Sequence, residues 1–120
     1  MGRLLVHIAT GPEYPTRAAL GLLVARTALG AGHAVDVFIA GDGVGILRPA
    51  TLDSGVGIGT GSMREHIDAL VAGGARFFAS GQSSKARGLA ADQVGTVPVE
   101  FSPPDVLVRL AFEADRVLSY

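Results

Sequence analysis

Five short apolar runs recur along the chain, each ended by glycine, serine or proline, and stretches of helical spacing separate them. Leu4-Leu5-Val6-His7-Ile8-Ala9, closed by Thr10-Gly11-Pro12, predicts a buried strand. His33 to Ala40 is apolar almost without interruption, which suits a parallel sheet covered on both faces. Ala75 to Ala79 and Val97 to Phe101 predict two more strands, the latter peripheral because Pro98 lacks a ladder donor. Asp115 to Tyr120 supplies a closing strand. Between them, Pro15-Thr16 opens a helix that runs to Gly30, with proline tolerated in the first turn. Ser62 caps a second helix with Ile67, Leu70 and Val71 facing inward, stopped by Gly73-Gly74. Ser83 to Ala91 forms a short helix, and Ser102-Pro103-Pro104-Asp105 starts another that reaches about Glu113, with the serine as its cap. Residues 46–60 are the least determined: a proline and many glycines suggest a mobile loop with one short helical turn. This alternation predicts one domain over residues 1–120, a three-layer α/β/α sandwich. Its mostly parallel sheet has about five strands and right-handed crossovers.

The helix from Thr16 to Leu29 changes the picture, because it is apolar on more than one face. Ala18, Leu20, Leu22, Leu23, Val24, Ala25, Ala28 and Leu29 exceed what one sheet face can cover, so a second subunit is expected against it. At 120 residues and 48% hydrophobic the chain can bury a single core. Its net charge of −1 and dispersed arginines give no basic stripe for nucleic acid. The longest strictly apolar run, Ala18 to Ala25, is far short of a membrane span, and Met1-Gly2-Arg3 leads straight into a strand with no leader pattern. A soluble, cytoplasmic protein is expected. Without cysteine there is no disulfide and no thiolate metal site.

Candidate chemistry concentrates in the turns after the strands, where α/β sheets bind ligands. Thr10-Gly11, Gly41-Asp42-Gly43 and Ser80 to Ser83 all fall on that edge. Ser80 and Ser83, with Lys85 and Arg87 nearby, either cradle a small anion at a helix start or simply cap the helix. Asp42 is either a ligand contact or general base, or a turn aspartate. A nucleophilic serine would need a base within reach, and no Gly-x-Ser-x-Gly elbow is present. The series Gly55-Val56-Gly57-Ile58-Gly59-Thr60-Gly61 lacks both nucleotide-loop spacings and reads as flexible. His7 reads as a near-core residue and His66 as solvated. With His33 they are too scattered for a metal site on one element, so no metal and no cofactor are expected.

Phe78-Ala79-Ser80-Gly81-Gln82-Ser83-Ser84-Lys85-Ala86-Arg87-Gly88-Leu89 resembles the segment of the DsrE/DsrF-like sulfur-relay family that reads strand, Cys, x, x, Cys or Ser, x, x, x, Arg-Gly. Ala9 to Pro12 is similar to that family's first loop, and Gly32 to Val44 to its second strand and following loop. The resemblance covers almost the whole chain. It implies a DsrEF-like fold, a trimer or hexamer, and a pocket between subunits that Thr10, Gly11, Asp42, Gly43, Ser80 and Ser83 would line. It also implies a persulfide on a cysteine at the position of Ser80. A serine hydroxyl cannot carry one. The expectation is therefore a small oligomeric protein that does not transfer sulfur. It would bind a small anionic ligand or serve as an accessory subunit beside a cysteine-bearing paralogue. The alternative is an enzyme using Asp42 or Ser80 on a small anionic substrate.

Overall fold

The structure, a computed structural model, describes residues 1–120. In chain order it comprises β1 (Arg3–Ile8), α1 (Pro15–Gly30), β2 (Ala34–Ile39), a 3-10 helix over Gly41–Leu47, α2 (Pro49–Ser54), the paired short strands β3 (Val56–Gly57) and β4 (Gly61–Ser62), and α3 (Met63–Ala72). Then come β5 (Arg76–Ser80), α4 (Gly81–Ala86), a 3-10 turn over Ala91–Gln93, β6 (Val99–Ser102), α5 (Pro104–Glu113) and β7 (Arg116–Ser119). Five strands form one sheet in the order β6-β5-β2-β1-β7, and every neighbouring pair is parallel.

That order explains the layering. From β1 through β2 and β5 to β6 the chain steps steadily toward one edge, so right-handed crossovers keep its helices on one face. The last crossover returns past every strand to the far edge, and the same handedness puts α5 on the opposite face. One face therefore carries a core cluster of 22 buried residues, among them Val6, Ile8, Val37 and Ile39 from the sheet, Leu22 from α1 and Leu70 from α3. The other carries only Leu5, Phe38, Phe78 and Leu110, under α5 alone. No helix is long and apolar enough to cross a membrane.

Several expectations are corrected. Residues 46–62 are a packed segment. Ile46, Leu47 and Leu52 are buried, and the glycine series forms the β3–β4 hairpin folded onto α1. Gly57 permits that contact, since a Cβ there would meet Ala19 Cβ and Thr16 Cα, each at 3.0 Å. His66 is buried rather than solvated, its Nε2 lying 2.7 Å from the Thr60 carbonyl oxygen and so pinning the hairpin to α3. Val71 is at the surface, while Ile67 and Leu70 face inward as expected. The helix after β5 begins at Gly81 and ends at Ala86. Gly88 at φ +66° closes it, with Leu89 N–H donating to the Ser84 carbonyl and Gly88 N–H to that of Lys85. Ser102 does not cap α5. It ends β6, opposite Ser80, and its hydroxyl donates to the Glu100 carbonyl, while Pro103 occupies the cap position.

Candidate functional site

Backbone geometry brings together the loops that follow β1, β2 and β5. A Cβ on Gly11 would collide with the Asp42 carbonyl oxygen, so the first loop rests directly on the second. Gly43 is equally close to β1, where a Cβ would stand 2.6 Å from the Ile8 carbonyl oxygen. Gly41, at φ +56°, turns the second loop so that its N–H donates to Ser83 Oγ at 2.9 Å. Ser80 caps α4, its Oγ accepting from Ser83 N–H at 3.1 Å. Arg87 completes the cluster, donating to the Ser83 carbonyl at 3.1 Å and pairing with Asp42 Oδ1 at 2.8 Å. Thr10, half-buried in the first loop, makes no side-chain hydrogen bond. Because β2 lies between β1 and β5, Thr10 stands about 10 Å along the edge from Ser80.

Of the six residues picked out in the sequence, Gly11, Asp42, Gly43, Ser80 and Ser83 thus belong to one network of loop contacts, with Thr10 at its margin. None of the six lines a cavity within a single chain. The network occupies one acceptor position on each serine hydroxyl and leaves their O–H donors free. Both serines serve as acceptors for backbone N–H groups, and the exposed Asp42 is matched by exposed Arg87. Neither serine has a base. His7 Nδ1 lies 3.5 Å from Ser119 Oγ, His33 Nδ1 accepts from Gly2 N–H, and His66 reaches Thr60. The arrangement can hold three loops in register, and no side-chain base hydrogen-bonds to either serine hydroxyl.

One group with chemistry escaped the sequence reading. Asp36 is fully buried in β2 and is gripped by Arg3 NH1 at 3.1 Å and by Arg76 Nε at 2.6 Å and NH2 at 2.8 Å. The hydrogen bond to Asp36 raises the Arg76 pKa, and the Arg76 guanidinium lies 5.7 Å from the Phe78 ring centroid. An aspartate inside an apolar strand was the available signal. His7 reads as near-core, and so it is. Its Nε2 is buried without a partner, and burial lowers its pKa.

The model of the DsrE/DsrF-like family matches residues 3–120. No curated protein matches the chain. Among solved structures, the fold is similar to that of the YchN protein of E. coli, with a TM-score of 0.77 at 17% identity over 100% of both chains. It is similar to a protein of unknown function, MTH1491, of Methanobacterium thermoautotrophicum, with a TM-score of 0.73 at 23% identity, again over 100% of both. A third similar structure is the conserved protein BT1422 of Bacteroides thetaiotaomicron, with a TM-score of 0.65 and 14% identity over 98% of this chain and 94% of that one.

Proposed function

The chain belongs to the DsrE/DsrF-like family, and from that premise we propose that it is an oligomeric accessory subunit that does not itself carry sulfur. The observation that carries this reading is Ser80. It stands at the end of β5, where the family pattern places a cysteine, and its hydroxyl caps α4 within a chain that has no cysteine. Thiolate chemistry has no atom to act on. The closed hydrogen-bond network around it favours holding the loops over turning over a substrate.

The surface supports association between copies. Tyr14, Leu20, Val56 and Ile58 are exposed around the first turns of α1, where the hairpin is tied down by Ile58 N–H donating to Thr16 Oγ1 at 3.0 Å. Ile58, 89% exposed at the tip, is difficult to account for in a monomer. Packing another copy there would cover the apolar surface of α1 and wall in the loop cluster. The Thr10, Gly11, Asp42, Gly43, Ser80 and Ser83 edge would then become a pocket for a small anion between subunits.

The test is sulfur loading. Wild-type protein incubated with a persulfide donor should gain no mass, whereas Ser80→Cys should gain that of one sulfur atom. Sulfur on the wild-type chain would overturn the reading, and a Ser80→Cys chain that takes none would detach position 80 from the family's sulfur site.

A further inference from the structure

A second candidate site lies on the other flank of α4. Gly81, Ser84 and Lys85 recur at the i, i+3, i+4 spacing of one helix face, with Gly88 just past the helix end, whereas Ser83 and Arg87 point toward the loop network. Beside that face, Leu89, Ala90, Ala91 and Phe101 help line an open cavity of about 380 Å³, within the size range of small-molecule sites. Its floor is apolar: Leu89 is buried and Phe101 half-buried against the main core. Glycines keep it open, since a Cβ on Gly88 would meet nothing within 4 Å and one on Gly81 nothing nearer than the Ser102 carbonyl oxygen at 3.7 Å.

Two polar groups on this wall lack partners. Lys85 is the only lysine in the chain, beside nine arginines and three histidines, and its exposed ammonium enters no ion pair or hydrogen bond. Ser84 is 2% exposed and its hydroxyl has no hydrogen-bond partner, a condition that native proteins rarely leave unanswered. An apolar floor beneath one unpaired cation suits a ligand that is itself apolar at one end and anionic at the other. We propose that this cavity binds a small amphipathic acid, its carboxylate on the Lys85 ammonium and its apolar body on Leu89 and Phe101.

Isothermal titration calorimetry of the intact protein tests this, with octanoate as the probe and inorganic phosphate as the control. Octanoate should bind saturably at one site per chain, and phosphate should give no heat of binding at equal concentration. Lys85→Gln should weaken octanoate about tenfold, the loss expected of one charge-assisted contact. Ala90→Phe, a change at an exposed wall position, should abolish binding while leaving the thermal unfolding transition in place. Absence of octanoate binding would overturn the proposal. So would phosphate binding as tightly, which would mark a bare anion site, or unweakened binding by Lys85→Gln.

Discussion

At the scale of single residues, the strongest commitment in the molecule is Asp36. A carboxylate with no exposure is tolerable only because guanidinium groups on both neighbouring strands reach it, each from a half-exposed position that spares the arginines most of the desolvation cost. Asp36→Ala should therefore cost about 3 kcal/mol in urea unfolding, near the lower end for a broken buried pair. His7 makes the opposite kind of commitment, since it is held neutral. Its folded pKa lies below the ordinary 6.5, so between the two values the unfolded chain holds the extra proton. Stability is then full above about pH 6.5 and is lost as pH falls through the window beneath it. Comparing urea midpoints from pH 7 down to about pH 5, His7→Phe should show a shallower fall than wild type. Equal slopes would mean that His7 is not the titrating group. Ser80 and Ser83 show why site assignments are hard at this scale. Their place on the ligand edge and the capping of Ser83 N–H by Ser80 follow from β5 and the turn after it, whereas the use of Ser83 as an acceptor for Gly41 N–H depends on how a loop 42 residues earlier is folded.

Elements were legible where the pattern is local. The α1 boundaries follow from Pro15 and Gly30, and the continuous apolar run of β2 suits a parallel sheet, in which the fold sets that strand between β1 and β5. The pattern predicts a helix after β5 that continues to Ala91, whereas the left-handed Gly88 closes α4 after Ala86. The glycine series misled for another reason. Alternating glycines look flexible in isolation, but here the absence of a side chain at Gly57 lets a hairpin touch the α1 backbone. His66 reads as solvated in the sequence because its cover comes from distant segments, the returning hairpin at Thr60 and Arg26 of α1. Gly57→Ala should accordingly lift the hairpin from α1, costing about 1–3 kcal/mol as overpacking does. Hydrogen exchange would show it as faster exchange at Ile58, whose N–H is held by Thr16, with β2 unaffected. Protection unchanged at Ile58 would mean that the hairpin adapts without letting go.

At the scale of the whole molecule, the winding order decides what is left exposed. Because a single helix serves one face, that face is thinly covered. α5 turns Val108 and Phe112 outward, Phe112 being 88% exposed, and β7 ends the sheet with Val117 and Leu118 partly uncovered. The other face has a complete core, yet Tyr14, Leu20, Val56 and Ile58 still reach solvent around α1. This exposed apolar surface is the ground for the proposed assembly. The apolar excess of α1 was visible in the sequence, whereas the exposure of Ile58 and Phe112 depends on the fold. The proposed accessory role rests on assembly as much as on the missing sulfur. Native mass spectrometry of the freshly purified protein tests it most directly. A trimer or hexamer is the expected result, dissociating toward monomer when Ile58 at the hairpin tip is replaced by aspartate. A wild-type protein that flies only as a monomer at micromolar concentration would contradict the account.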